Sequence, residues 1–299
     1  MMVNLRFTIF TPTYNRAHLL PRIYESLKSQ TYRDFEWLIV DDGSTDSTEE
    51  LIKSFHLLAE SEGYQVEDIF SIRYIKQPNG GKHRAINRGV KEAHGDLFFI
   101  VDSDDYLPHD ALENTLKYYN RIKDDTTIGG ICGLDMNPNG YTIGSGLPSD
   151  EIICSCLDVR IKHHVTGDMK EVFRTKVMRE FPFPEFEGER FCPEALVWNR
   201  IAQKYNLLYF NKPIYIAEYQ DGGITNGIVK ARMNSPVATV TTYKELNSYD
   251  IPVKEKIKAA INYWRFRPYV PKGKKVPRLP LYWYWCQPIG FAMHIRDKR

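Results

Sequence analysis

Four apolar runs alternate with three helix-like segments between Leu5 and Val101, and each apolar run stops at a cluster of polar residues. Leu5 to Thr11 alternates and is β-branched, which predicts a strand, and Pro12 is expected to end it. Leu19, Leu20, Ile23 and Leu27 recur at helical spacing, which predicts an amphipathic helix from about Ala17 to Gln30. Phe35 to Val40 reads as the second strand, ending at Asp41 and Asp42. In DDGSTDSTEE, Gly43 supplies a turn, and Asp46 three residues before Glu49 resembles a capping box for a helix through about Ala59. A strand over about Ile69 to Ile75 leads to PNGGK, which opens a third helix ending near Gly95. Leu97 to Val101 is apolar throughout, as expected of a strand covered on both faces.

Such alternation demands a parallel sheet with crossover helices. Ligands of these sheets sit beyond the carboxyl ends of the strands. Pro12-Thr13-Tyr14-Asn15, Asp41-Asp42, Asn79-Gly80-Gly81-Lys82 and Asp102-Ser103-Asp104-Asp105 therefore all belong to one edge. The second half is less regular. It offers a strand at Ile128 to Asp135, a Gly-rich loop at Gly140 to Pro148, and a short strand at Val172 to Arg174. A helix at Pro193 to Tyr205 and a strand at Pro213 to Ala217 follow, then helices at Ser235 to Asn247 and Val253 to Trp264.

A net charge of +2 over 299 residues gives no global attraction to nucleic acid. Five cysteines without a CxxC pair read as reduced thiols, and Cys154 and Cys156 with His163 and His164 fit no zinc spacing. The N-terminus enters a strand without a signal-peptide pattern, and no segment has the apolar length of a membrane span. A cytoplasmic protein is expected.

Carboxylates crowded at a strand end suit a hard divalent cation, Mg2+ or Mn2+, which keeps waters and shares substrate phosphates. An Asp-rich turn is the plain alternative, but Asp110 after Pro108 can cap the next helix alone. Two glycines and Lys82 at a helix N-terminus suit an anion. No GxxxxGK[ST] and no GxGxxG is present, which excludes a Walker loop and a dinucleotide fingerprint. Tyr14 offers an aromatic face, and Asp41 or Asp42 a hydrogen-bond acceptor. Together these features describe a nucleoside-diphosphate ligand.

The stretch FTPTYNRAHLLPRIYESLKSQTYRDFEWLIVDDGSTDST resembles the opening of family 2 glycosyltransferases of the GT-A fold. GGKHRAINRGVKEAHGDLFFIVDSDDYL continues the resemblance and carries Asp102-Ser103-Asp104 where that family has its DxD motif. The likeness is dense from about Leu5 to Leu116 and returns at about Glu187 to Tyr205. It implies an α/β protein with a mostly parallel, Rossmann-like central sheet flanked by helices. It also implies a glycosyltransferase domain over 1–230, with a nucleotide-binding half at 1–120 and an acceptor half at 121–230, followed by a helical, aromatic extension at 231–299. Pro12 and Tyr14 would flank the nucleobase, Asp42 would bond to it, and Lys82 would lie near the diphosphate. Asp102 would approach the ribose or the metal, and Asp104 would ligate the metal. Ile86 stands where many relatives carry arginine, so Lys82 is left to supply positive charge.

Inverting transfer also needs a base for the acceptor hydroxyl. In GERFCPEALVWNRIAQKY, Glu194 stands where the family places that base, although Ala195 breaks the usual acidic pair. Glu189 competes with it, and Asp168 is a third carboxylate able to face the acceptor. The implied donor is a nucleotide-sugar, most simply a UDP-sugar, and the implied acceptor a saccharide or a lipid-linked saccharide. A sugar nucleotidyltransferase would carry a Gly-rich loop where this chain has PTYN. A non-catalytic glycan- or membrane-binding relative would not need Asp102, Asp104 and a base. In the tail, YWYW beside basic residues either packs on the domain or lies at the headgroup level of the cytoplasmic membrane face. Stacking of single-stranded nucleic acid ranks below both.

Overall fold

Phe7–Thr13 (β1), Phe35–Asp41 (β2), Ser71–Lys76 (β3) and Leu97–Ile100 (β4) pair in parallel, as the alternation requires. Ile128–Met136 (β5), Glu151–Cys154 (β6), Met169–Arg174 (β7) and Asn206–Ile216 (β8) complete one sheet. Its order is β3-β2-β1-β4-β7-β5-β8-β6. β7 is antiparallel to β4 and β5, β8 is parallel to β5, and β6 closes the far side antiparallel to β8. The computed structural model describes residues 6–61, 70–218 and 224–298.

Helices Leu20–Lys28 (α1), Thr48–Ser61 (α2), Lys82–Glu92 (α3) and Ala111–Ile122 (α4) alternate with the first five strands. They are followed by Cys156–Ile161 (α5), Thr175–Glu180 (α6), Glu194–Ile201 (α7) and Ile224–Asn234 (α8). Pro236–Ser248 (α9), Val253–Phe266 (α10) and Gln287–Asp297 (α11) end the chain. The chain clusters into two units. One comprises Met1–Asn79, Ala85–Pro182 and Ile201–Gln220 and contains every strand; the other comprises Gly80–Arg84, Phe183–Arg200 and Asp221–Arg299.

β1, β2 and β4 are buried along their whole length, as central strands with both faces covered must be. α1 turns Leu20, Ile23, Tyr24 and Leu27 inward. There Tyr24 stacks on Phe55 with centroids 4.3 Å apart, beside Trp37 and Phe70. One buried carboxylate stitches the sheet together. Glu36 accepts from Thr8 Oγ1 at 2.6 Å, from the His94 N–H at 2.7 Å and from Arg73 at 2.7 Å. A buried charge persists only with such a full set of partners.

Several boundaries differ from the sequence expectation. β1 does not stop at Pro12 but runs to Thr13, with Pro12 opposite Val40 of β2. The Phe10 carbonyl accepts from the Val101 N–H on the β4 side, so Pro12, two residues on, faces that side where β4 has ended. A proline without an N–H costs nothing there. α7 ends at Ile201, and Asn206 already begins β8, seven residues before the expected Pro213. β7 starts at Met169 rather than Val172, and α1 is shorter than Ala17 to Gln30. Asp110 sits at the N-cap of α4, but its side chain makes no capping bond. β6, α5, α6 and α8 were not anticipated as elements, α11 lies within the helical extension expected at 231–299, and Ile69 of the expected third strand lies outside the described residues.

Candidate active site

Because β1, β2, β3 and β4 are parallel, the segments after them share one edge of the sheet. Asn15 has a left-handed backbone, φ 52°, that turns the chain off β1. Its side-chain oxygen accepts from the Thr45 N–H at 2.8 Å, and its own N–H donates to Ser44 Oγ at 2.9 Å. The loops after β1 and β2 are thereby held together. Asp46 adds a second tie by accepting from the Ala17 N–H at 3.0 Å. In this frame Pro12 is buried and Tyr14 is 48% exposed, so an aromatic face stands open at the edge. Asp41 is fully buried and accepts from the Ser44 N–H and the Tyr74 hydroxyl. Asp42 accepts from Gln77 Nε2 at 2.8 Å.

The turn after β4 separates its three carboxylates. Arg16 pairs with Asp104 at 2.7 Å and reaches Ser103 Oγ at 3.3 Å. Arg22 donates to the Asp104 carbonyl. Asp105 turns away, accepting from the Tyr215 hydroxyl at 2.7 Å and the Glu218 N–H at 2.9 Å. The Asp102 N–H in turn donates to the same Tyr215 oxygen at 3.0 Å. Burial, then Asp102, pushes the Asp105 carboxyl up to about 7, with Asp104 adding to the rise. Burial is the first cause, and Arg16 on Asp104 and Lys170 beside Asp105 offset part of the negative charge of this turn.

Asp168 immediately precedes β7. β7 runs antiparallel to β4 with Val172 opposite Phe99, which carries the start of β7 to the edge where β4 ends. Asp135 near the end of β5 is buried there, and its carboxyl is pushed up to about 7 by burial, with Glu171, Asp168 and Asp105 contributing. Arg16, Lys170 and Tyr215 are members of this edge that sequence reasoning did not single out. Their only local signal is Arg16, adjacent to the TPTYN run.

Among the described residues no three His, Cys, Asp or Glu side chains form a metal cage. Asp102 and Asp104 carry the oxygen donors that a hard divalent ion takes when substrate phosphates and water complete its shell, and Arg16 holds the Asp104 carboxylate here.

In the second unit, Gly81 adopts φ +99° and opens α3. A Cβ on Gly81 would lie 1.9 Å from the Arg190 carbonyl oxygen, so only glycine allows this approach. Lys82 Nζ lies 2.8 Å from the Glu194 carboxylate at the start of α7. Arg84 is committed elsewhere, donating to the carbonyls of Gly80, Phe186 and Glu189 and pairing with Glu185. Ile86 is buried. The Glu189 carboxylate accepts from the N–H groups of Val237 at 2.6 Å and Ala238 at 2.8 Å. Both its oxygens therefore cap α9.

The family model for glycosyl transferase family 2 matches residues 8–179, more than half of the chain. The chain belongs to glycosyl transferase family 2. Glycosyltransferase GlyG of Streptococcus pneumoniae is 25% identical over 232 residues, 73% of this chain and 72% of that protein. A GalNAc(5)-diNAcBac-PP-undecaprenol beta-1,3-glucosyltransferase of Campylobacter jejuni is 25% identical, over 75% of this chain and 69% of its own length. Glycosyltransferase GlyA of Streptococcus pneumoniae is 33% identical over 129 residues, but this chain spans only 17% of it. Among solved structures, Staphylococcus aureus TarS 1-349 in complex with UDP-GlcNAc superposes with a TM-score of 0.66 at 18% identity, covering 98% of this chain and 81% of that one. A mannosyltransferase of Pyrobaculum calidifontis in complex with GDP-Man and Mn2+ superposes with 0.56 at 19% identity, covering 98% and 75%. At these identities the superpositions establish the GT-A fold of this family 2 glycosyltransferase.

Proposed function

We propose that this family 2 glycosyltransferase moves a sugar from a nucleotide-diphospho-sugar, a UDP-sugar in the first instance, to a hydroxyl of a saccharide or lipid-linked acceptor, with inversion, in cell-surface polysaccharide or glycolipid synthesis. The observation that carries the reading is the grouping of Tyr14, Asp42, Asp102 and Asp104 on one sheet edge, at the carboxyl ends of parallel strands. The UDP-GlcNAc in the TarS complex supports a uridine donor. Two relatives, named for an undecaprenol-linked substrate and for poly(ribitol-phosphate), support a lipid-linked or polymeric acceptor.

Pro12 and Tyr14 flank the base, and Asp42 accepts its ring N–H. Asp104 and Asp102 would hold Mn2+ or Mg2+, which when bound offsets charge on the leaving diphosphate. Lys82 adds positive charge toward that diphosphate, and Asp168 faces the acceptor. Glu194 takes the acceptor hydroxyl proton while the acceptor oxygen bonds to the anomeric carbon. The bond from that carbon to the diphosphate oxygen breaks, and the nucleoside diphosphate leaves with both electrons. Glu194 is preferred over Glu189 because both Glu189 oxygens are occupied by the α9 N-terminus.

Thermal unfolding with UDP and Mn2+ tests the donor site. A ligand of the native state raises its stability, so UDP with Mn2+ should raise the Tm of the wild type and leave Asp104→Ala unchanged. No shift in the wild type refutes the donor-site reading.

A further inference from the structure

The C-terminal segment concentrates charge that the whole chain lacks. From Arg265 to Arg299 there are nine Lys or Arg residues and one acid, Asp297, while the full chain carries only +2. The same segment exposes apolar surface. The 3-10 turn Leu281–Cys286 and α11 bury Trp283, Cys286, Gly290 and His294. Facing outward are Leu281 (80% exposed), Tyr282 (69%), Trp285 (55%), Phe291 (50%), Ile289 (46%) and Ile295 (46%). An ordinary surface helix carries polar residues on that side.

This face cannot roll inward. A Cβ on Gly290 would come within 2.5 Å of the Ile261 carbonyl of α10, so the two helices meet there at backbone distance. Arg265 of α10 holds Asp297 through two hydrogen bonds, and the His294 ring lies 4.4 Å from that of Tyr269. The apolar side of α11 is therefore fixed toward solvent. In the same segment Lys272, Lys275, Arg278, Arg296 and Lys298 are exposed.

We propose that this face binds the surface of a bilayer rich in anionic lipid, lying in the interface rather than crossing it. No described helix is long and apolar enough to span. The eleven residues of α11 extend about 16 Å, against a hydrocarbon core of about 30 Å. Tyr and Trp beside Lys and Arg match the headgroup level, and Leu, Ile and Phe reach the acyl boundary below it. Charge selects the partner. Two copies of this chain meeting face to face would bring two strongly basic segments together, whereas an anionic surface neutralises them. Exposed Tyr282, Trp285 and Phe291 are interleaved with aliphatic Leu281, Ile289 and Ile295, which suit acyl chains and give nucleic acid bases nothing to stack on.

The test is co-sedimentation of the full chain with vesicles of phosphatidylcholine alone and of phosphatidylcholine mixed with phosphatidylglycerol. The wild type should pellet with the mixed vesicles, weakly with the neutral ones, and less as salt rises. Trp fluorescence should be quenched by brominated lipid and should lose most of that quenching in Trp285→Phe. The double variant Phe291→Ser/Ile295→Ser changes only exposed positions and should lower partitioning at least about tenfold. Lys272→Glu/Lys275→Glu should remove the preference for anionic lipid. Wild type that stays in the supernatant with mixed vesicles, or pelleting equal in wild type and Phe291→Ser/Ile295→Ser, overturns the proposal. A wild-type dimer that this double variant dissociates, without vesicle binding, assigns the face to a second copy and overturns it too. Binding of a single-stranded oligonucleotide that the double variant abolishes, again without vesicle binding, does the same for nucleic acid. None of these readouts requires sugar transfer, so the donor chemistry and the bilayer contact stand or fall separately.

Discussion

The Lys82 ammonium lies 2.8 Å from the Glu194 carboxylate, both at the first residue of a helix. Side chains this exposed contribute little to stability through their pairing, so the pair is better placed to serve chemistry than folding. Glu194→Gln should leave the unfolding midpoint nearly unchanged and keep UDP binding, while kcat falls by roughly 10²- to 10⁴-fold. Glu189→Gln should do the reverse. It removes one of the two carboxylate oxygens that accept from the α9 N-terminus and should cost about 1–3 kcal/mol in denaturant unfolding, with activity per folded molecule retained. Loss of kcat in Glu189→Gln at unchanged stability would move the base to that residue.

The loop before α3 depends on a missing side chain. Gly81→Ala places a Cβ against the Arg190 carbonyl at a backbone conformation, φ +99°, that L-residues avoid. We expect a destabilisation of about 1–3 kcal/mol and a raised KM for donor, measured by thermal unfolding and steady-state kinetics. Gly80→Ala should also destabilise, since its Cβ would lie 2.7 Å from Cδ of Arg84, whose guanidinium is tied to three carbonyls and Glu185.

Asp135 sets a pH dependence. Burial raises its carboxyl from 3.8 to about 7 in the folded chain, and Lys170 only partly offsets this. The folded state therefore holds a proton that the unfolded state releases as pH passes its ordinary value. The stability this group contributes is complete below pH 3.8 and is lost progressively up to about pH 7. The loss is at most on the order of 4 kcal/mol. Asp135→Asn should lessen the fall over that window, where Asp105 also titrates, and be more stable than wild type at pH 8, read by urea unfolding across pH. A wild-type profile that rises over the same window would contradict the assignment.

The first four strands were legible because their signals are local: periodicity, a turn residue, a cap. The edge they share follows from parallel order alone. The second half was not, because its strands are defined by distant partners. β6 is four residues, of which only Cys154 is buried, and they become a strand only beside β8. β8 begins at Asn206 because its LLYF run is covered as part of the sheet, where sequence spacing let the preceding helix run on to Tyr205. The same holds at the site. Asp102 and Asp104 announced themselves as a motif, whereas Asp105 found its place through Tyr215 and the Glu218 N–H, 110 and 113 residues away. Arg16 on Asp104 and Glu36 under Arg73 are likewise non-local pairs, invisible to any window along the chain.

The most direct measurement is release of nucleoside diphosphate from a panel of UDP- and GDP-sugars, with Mn2+ and with EDTA, comparing wild type, Asp104→Ala and Glu194→Gln. Wild type should release UDP from one UDP-sugar only with metal present. Asp104→Ala should be inactive at every metal concentration, and Glu194→Gln should bind UDP yet fail to transfer. Turnover that is indifferent to EDTA and unchanged in Asp104→Ala would contradict a metal-assisted transfer at the end of β4.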